Sequence, residues 1–402
     1  MTTGIEQGVS KGALKLLTFM MFLIFAMTTD AVGVIIPEVI RDFDLSLTQA
    51  ATFHYGTMIA IAISGVGLGF LADRFGRKKT ILLGLGLFAV VCFLFPFGEH
   101  FTVFLVLLMV SGLAIGIFKT AALALIGDIS NNTGEHTKTM NLAEGFFGVG
   151  AILGPAIVTY LLTEGVSWVY LYAIAGACAV LLIIVASFTR YPSLPSVNTE
   201  HVNWRSSLHL MKDAHALLFS LAIALYVVVE AGVYVWMPTL LLDYQGSSPW
   251  IAAYALSLFF VFRAAGRFLA AWILSFIAWQ TALFVFSACI FICFLLSAVL
   301  GIEAAVWLLP GSGIFMSLIY PTLNSKGISC FPQEKHGAIA GVILFFTAVA
   351  AALGPLMMGL VGDWFGHVKF GFYFATLSAG GLLLLSFWNY IVDPSRLRLA
   401  AC

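Results

Sequence analysis

The chain has 402 residues, of which 61% are apolar and 9% are charged, and its formal net charge is zero. Soluble domains contain roughly 45–50% apolar and about 25% charged residues, so this composition excludes an ordinary soluble protein. A mean hydropathy of +1.04 indicates that lipid surrounds most of the chain, and zero net charge gives no indication of a nucleic-acid partner.

Long apolar runs predict an all-α membrane protein with twelve transmembrane helices. A span needs ~20 mainly apolar residues, because the hydrocarbon layer is ~30 Å thick and a helix rises ~1.5 Å per residue. The predicted segments, numbered here as spans 1 to 12, are residues 14–37, 49–72, 80–98, 101–127, 138–163, 167–189, 214–242, 249–274, 280–300, 302–325, 336–362 and 368–392.

The positions of Lys and Arg predict that both termini lie in the cytoplasm, because cytoplasmic loops of membrane proteins are enriched in these residues. With the N-terminus inside, fourteen of them fall in cytoplasmic segments, and only Arg41 and Lys369 fall on the opposite side. We therefore expect a multi-pass protein of the cell inner membrane.

Internal repeats predict two pseudo-symmetric six-helix bundles related by an axis along the membrane normal. The predicted divisions are an N-terminal half at 1–190, a cytoplasmic linker at 191–213 and a C-terminal half at 214–402. The repeated elements, offset by close to 200 residues, are Asp30-Ala31 with Glu230-Ala231, Pro37 with Pro238, Gly154-Pro155 with Gly354-Pro355, and Gly116-Ile117-Phe118 with Gly313-Ile314-Phe315.

An ordered loop between spans 2 and 3 carries Gly69, Asp73, Arg74, Gly76 and Arg77 in the order Gly-Phe-Leu-Ala-Asp-Arg-Phe-Gly-Arg-Lys-Lys. The glycines permit close helix approach and a tight turn, and the basic residues hold the loop at the cytoplasmic surface. This loop resembles the signature loop of the major facilitator superfamily. The resemblance implies a secondary transporter that works by alternating access, with these residues in a conformational gate.

Two further stretches are similar to the fucose/glucose symporter branch of that superfamily, whose members carry a sugar with a proton. They are residues 313–322 in span 10 and residues 141–151 in span 5. The chain departs from the branch at Lys119, which replaces a glutamate, and at Phe147, which replaces a sugar-binding asparagine. The carboxylate of span 1, Asp30, also lies about one turn deeper than the aspartate of the branch.

Ionisable residues inside spans usually carry function, because each costs ~3 kcal/mol or more at the bilayer centre. We expect Asp30, Glu144 and Glu230 to couple transport to protons, since a carboxylate that changes exposure can bind a proton on one side and release it on the other. In the facilitator fold, Asp30 and Glu230 occupy matched helices that line the central cavity. The alternative is that Asp30 only neutralises a partner such as Lys119.

The basic residues of the spans leave several interpretations open. Lys119 and Glu144 form a fixed buried pair, or Lys119 binds an anionic group of the substrate, or Lys119 neutralises Glu144 until a proton or the substrate displaces it. Arg263 and Arg267 share one face of span 8, since they are one turn apart. We expect Arg267 to serve the conformational gate and Arg263 to reach the substrate.

Further residues can offer hydrogen bonds or a stacking face to a polar solute, although each is also a common packing residue. The predicted substrate-binding set is Lys119, Asn141, Arg263, His54, Tyr55, Trp236 and Asn324.

The sequence favours a secondary active transporter for proton-coupled uptake of a small polar solute, a sugar or a sugar-derived acid. The alternative is a proton-driven exporter of drugs or metabolites, which we expect to have a mostly apolar cavity with one carboxylate. A receptor or scaffold would need no paired ions inside the membrane. We expect no enzyme activity, cofactor or metal, because no nucleophile–base set or phosphate loop is present. The expected partners are the solute, the proton and the bilayer, and we expect a monomer.

Overall fold

The computed structural model describes residues 11–68, 71–130, 133–192, 212–331 and 336–401, and these residues are almost entirely helical. The helices are α1 (Lys11–Thr29), α2 (Val32–Phe43), α3 (Leu47–Ala50), α4 (Thr52–Gly67), α5 (Leu71–Arg74), α6 (Arg77–Leu94), α7 (Phe101–Ile129), α8 (Thr133–Thr163), α9 (Tyr170–Phe188), α10 (Ala214–Leu241), α11 (Pro249–Ala253), α12 (Ala255–Ile273), α13 (Trp279–Leu300), α14 (Ile302–Ser329), α15 (His336–Phe365), α16 (Lys369–Val392) and α17 (Arg396–Ala401).

Ten helices in the described part of the chain are long and apolar enough to cross a membrane. The remaining two predicted spans correspond to α4, which has 16 residues, and to α12, which carries Arg263 and Arg267. The predicted class, an all-α membrane protein, is confirmed, and the helices match the twelve predicted spans. Span 1 is divided into α1 and α2, because the helix is interrupted at Asp30 and Ala31.

The helices form two compact units. Unit 1 consists of Met1–Ile35 and Thr52–Thr199, and unit 2 consists of Ile36–Ala51 and Glu200–Cys402. In unit 1, α1 packs against α8, α4 against α7, and α6 against both α7 and α9. In unit 2, α10 packs against α15, α12 against α14, and α13 against both α14 and α16. The same helix pairings therefore occur in both units, as expected from the repeats. The predicted linker at 191–213 lies almost wholly outside the described residues.

Glycines allow the closest of these helix pairs to form. A Cβ atom on Gly154 of α8 would collide with the main-chain oxygen of Met27 in α1. In unit 2, a Cβ atom on Gly313 of α14 would lie 2.5 Å from the main-chain oxygen of Phe259 in α12. Small residues at such positions are the usual means by which membrane helices approach each other. The repeated glycines of the sequence thus mark helix contacts inside each unit.

A short segment that follows span 1 packs inside unit 2 rather than unit 1. The carboxylate of Asp363, near the end of α15, accepts hydrogen bonds from the backbone N–H groups of Leu47 and Thr48, both at 2.8 Å. Ser46 and Gln49 form a capping box at the start of the same short helix, α3. Asp363 therefore satisfies the N–H groups that the first turn of α3 leaves unbonded.

Candidate functional site

The first group of ionisable side chains lies in unit 1 and includes Asp30, at the break between α1 and α2. The Thr29 hydroxyl lies 3.1 Å from Asp30 Oδ2 and 3.0 Å from the main-chain oxygen of Phe25. The side chain of Asp30 is half-buried. A carboxylate thus stands where an otherwise apolar helix is interrupted.

Lys119 extends from α7 toward three phenylalanine rings. Its Nζ atom lies 4.3 Å from the ring centre of Phe25, 5.6 Å from that of Phe22 and 5.9 Å from that of Phe147. Aromatic rings at such distances attract a cation through their quadrupoles, by about 0.5–2 kcal/mol. Lys119 and Phe147 are two of the positions at which the sequence departs from the symporter branch, and the structure places them side by side.

Two carboxylates act electrostatically on Lys119, and the effect of Glu144 is larger than that of Asp30. Glu144 is exposed on α8, whereas Lys119 is half-buried. Three of the predicted residues therefore form one group in unit 1, which we term the Lys119 cluster (Asp30, Lys119 and Glu144). The side chain of Asn141, one turn before Glu144, lies outside the described residues, so its role stays a prediction.

The second group of ionisable side chains lies in unit 2 around Glu230. Glu230 on α10 is only 7% exposed, and its Oε1 atom lies 2.7 Å from an Nη atom of Arg263 on α12. The Tyr226 hydroxyl donates to the same oxygen at 2.8 Å and lies 3.0 Å from the main-chain oxygen of Met316. We term these three residues the Glu230 cluster (Glu230, Arg263 and Tyr226). Its carboxylate is paired with a cation and a hydroxyl in an apolar surrounding.

Sequence reasoning missed Tyr226, which is fully buried. The signal was present, because Tyr226 and Glu230 are four residues apart and so lie on the same face of a helix. Arg267 is exposed and contributes to the electrostatic surroundings of Tyr226. It therefore lies near the Glu230 cluster, although its role in a conformational gate stays a prediction.

The other predicted substrate-binding residues lie on α4, α10 and α14, and their roles stay predictions. His54 is buried in α4 and the adjacent Tyr55 is half-buried. Trp236 is fully buried, and its ring N–H donates to the main-chain oxygen of Pro355 at 2.9 Å. Asn324 is half-buried on α14. The single donor of Trp236 is thus already bonded within unit 2 in this conformation.

The gate loop is described in part, since Gly69 and the side chain of Asp73 lie outside the described residues. Gly76 has φ of 82°, a left-handed conformation that favours glycine, immediately before α6. Arg77 pairs with Asp128 at the end of α7 at 2.7 Å, and both side chains are largely buried. Arg74 lies beside the Phe75 ring, with 5.7 Å from its guanidinium carbon to the ring centre.

The ion pair between Arg77 and Asp128 therefore joins the loop to α7. The sequence analysis did not identify Asp128 as the partner of Arg77. Asp128 directly follows predicted span 4, and a charge at that position was a usable signal. Lys78 of the same loop donates to the main-chain oxygens of Ser187 and Thr189, at 2.6 Å and 3.1 Å. The basic residues of the loop thus bond helix ends of unit 1, which is what a loop at the surface of a helical bundle requires.

A sequence model of the Major Facilitator Superfamily matches residues 18–355. The chain belongs to this superfamily. It is therefore a multi-pass membrane transporter rather than an enzyme, as the sequence predicted. Among its relatives is the L-fucose-proton symporter of Escherichia coli (strain K12), which is 24% identical over 382 residues, covering 87% of this chain and 86% of that protein.

Two further comparisons differ in what they cover. The quinolone resistance protein NorA of Staphylococcus aureus is 33% identical over 178 residues, which is 42% of this chain and 43% of that protein. The crystal structure of the E. coli fucose:proton symporter aligns with a TM-score of 0.63 and 21% identity over 93% of this chain and 98% of that one. The structural likeness supports the fold of a superfamily transporter, and the resemblance to the fucose/glucose symporter branch is confirmed.

Proposed function

We propose that this protein takes up a small polar solute, a sugar or a sugar-derived acid, together with a proton. The observation that carries the proposal is the relation to a sugar–proton symporter, which extends over 87% of the chain. The relation to a drug-resistance protein covers 42%. A relation that covers 87% of the chain includes helices of both units.

The placement of charged residues supports proton coupling. Glu230 is a buried carboxylate with a cation and a hydroxyl on one oxygen, and Asp30 is a half-buried carboxylate at a helix break. In surroundings of low dielectric constant, the free energy of such a carboxylate depends strongly on whether it carries a proton and on how far its partner is. A cycle that alters these surroundings can therefore bind a proton on one side and release it on the other.

The remaining parts of the proposal follow from the superfamily and from the charge distribution. We place the protein in the cell inner membrane with both termini in the cytoplasm, since Lys and Arg are concentrated in the corresponding loops. We expect a single chain to suffice for transport. Reporter domains fused to each terminus test the orientation, and access of an impermeant reagent to either terminus from outside would contradict it.

The experiment is uptake of labelled solutes into right-side-out vesicles with an acid-outside pH gradient, using neutral sugars and sugar acids. We expect gradient-driven uptake that a protonophore abolishes, and loss of this coupling in Asp30→Asn and Glu230→Gln. Glu164→Gln is the matched control, because Glu164 is exposed just after the end of α8. Uptake that is equally fast without a pH gradient would contradict the proposed coupling to protons.

A second function, proton-driven export, is favoured by the partial relation to the quinolone resistance protein. Inside-out vesicles distinguish it from uptake. An exporter would accumulate fluorescent apolar amines in these vesicles when their lumen is acid, and would show no uptake of sugars or sugar acids in right-side-out vesicles.

A further inference from the structure

Lys119 is a basic residue inside a membrane span, and among the described residues its ammonium group meets aromatic rings rather than oxygen atoms. An ammonium has three N–H donors. Within the part of the chain that the structure describes, its Nζ atom makes no hydrogen bond and no ion pair, and its close neighbours are the rings of Phe22, Phe25 and Phe147. Rings attract the charge but give no carbonyl or carboxylate oxygen to the donors. An acceptor from outside the protein would complete this site.

The three rings lie on two helices other than that of Lys119. Phe22 and Phe25 are on α1, and Phe147 is on α8. They hold the side chain between α1 and α8 while Lys119 stays half-buried, which leaves part of it accessible. A cation fixed in this way loses little further conformational entropy when a ligand binds, and preorganisation of this kind favours affinity.

The charges around Lys119 indicate what the ligand should be. The Lys119 cluster contains one basic and two acidic residues, and the charges of both acids act on Lys119. If a carboxylate of the solute bonds to Lys119 while Asp30 or Glu144 takes a proton, the net charge of the cluster is the same as before binding. Solute and proton therefore favour each other's binding, because each offsets the charge of the other.

We propose that the solute carries a carboxylate group that bonds directly to Lys119, and that one proton taken up by Asp30 or Glu144 accompanies it. The proposal rests on the proposed transport function and adds the class of its substrate, a sugar-derived monocarboxylate. A neutral sugar could offer only hydroxyl oxygens to Lys119. A carboxylate adds the attraction between opposite charges, which is larger in surroundings of low dielectric constant than in water.

The net charge that crosses the membrane in each transport cycle distinguishes the two substrate classes and can be measured. One monoanion with one proton carries no net charge across the membrane, whereas a neutral sugar with one proton carries one positive charge. A membrane potential of 100 mV, inside negative, raises the accumulation of the neutral sugar about 50-fold and leaves that of the monoanion unchanged. This difference depends on the wild-type protein alone and requires no variant to fold.

The experiment uses purified full-length protein in liposomes, with a potassium gradient and valinomycin to set the potential and a separate pH gradient. The probes are glucose with glucuronate and galactose with galacturonate, and protein-free liposomes give the background. We expect uptake of a sugar acid that the pH gradient drives and the potential does not alter. We also expect Lys119→Gln to reduce this uptake ~10–100-fold, because one charged hydrogen bond is lost.

Lys119→Arg keeps the charge and should retain more activity than Lys119→Gln. Lys212→Gln is the matched control, since Lys212 is exposed just before α10 and lies outside both clusters and the gate loop. If only the neutral sugars are taken up, and the potential accelerates their uptake, the substrate does not carry a carboxylate. The proposed transport function would stand. Absence of any gradient-driven uptake would overturn the proposed function itself. Equal transport of the sugar acids by the wild type and by Lys119→Gln would show that Lys119 does not bind the substrate.

Discussion

Replacing Arg263 by glutamine tests whether the Glu230 cluster is an ion pair of the strength that its geometry indicates. The variant removes the cation that lies 2.7 Å from Glu230 Oε1 but keeps most of the side-chain length. Glu230 then retains the Tyr226 hydroxyl at 2.8 Å as its partner in the structure. Because the carboxylate is only 7% exposed, water replaces the lost partner poorly.

The expected cost follows from this burial. Removal of one partner of a buried pair typically costs 3–5 kcal/mol, because the other charge stays buried without compensation. Arg263 retains 21% side-chain exposure, so we expect the lower end, about 3 kcal/mol. The double variant Arg263→Gln, Glu230→Gln removes both charges and should recover about 2 kcal/mol of this loss, which is the interaction between the two sites.

Unfolding in mixed micelles at pH 7.5 is followed by circular dichroism. It gives the free energies of unfolding of the wild type, the two single variants and the double variant. Arg41→Gln is the control, because Arg41 pairs with Glu38 in an exposed position and such pairs contribute at most about 1 kcal/mol. If Arg263→Gln lowers the free energy of unfolding by no more than the control does, or if the two single changes are additive, the pair is not the interaction described here.

Three further changes test contacts elsewhere in the fold. Gly154→Ala should lower the free energy of unfolding by about 1–3 kcal/mol, because the added methyl group overpacks the contact with α1. Gly148→Ala is the control, since there is open space around its Cβ position. Equal effects of the two changes in the unfolding assay would refute the close helix contact. Asp363→Ala should speed hydrogen exchange at the two amides that Asp363 bonds, with no change elsewhere in unit 2; unchanged exchange would contradict the cap. Burial acts to raise the pKa of Asp213, but hydrogen bonds from Arg398 and two backbone N–H groups outweigh it and lower the pKa below its ordinary value. Asp213→Asn should therefore lower the melting temperature at pH 7, and the deficit should disappear as the pH falls through the lowered pKa; a deficit that persists there would contradict it.

The membrane class and the spans were predictable because they depend on apolarity summed over many residues. Span 12 was predicted at 368–392, and α16 is Lys369–Val392. The break at Asp30 was not predicted, although Thr28, Thr29 and Asp30 form a polar run within an apolar stretch and were a usable signal. The expectation that the protein is not an enzyme rested on missing catalytic motifs, and superfamily membership confirms it.

The site was predictable only where its members are near one another in sequence. Ionisable residues inside spans were identifiable by their cost in lipid, and Tyr226 could have been added because it lies one turn before Glu230. The rings around Lys119 could not be identified, because Phe25 and Phe147 lie on other helices and phenylalanine is common throughout the chain. Their contact depends on the packing of α1 against α8, which only the fold supplies.

If solute and proton move together, addition of the solute must itself drive protons across the membrane. A weakly buffered suspension of de-energised vesicles containing the protein receives a pulse of the transported solute, and the external pH is recorded. Because symport removes protons from the medium, we expect the external pH to rise immediately. A protonophore and the Asp30→Asn variant should each abolish this rise. Entry of labelled solute without any change in external pH would contradict it.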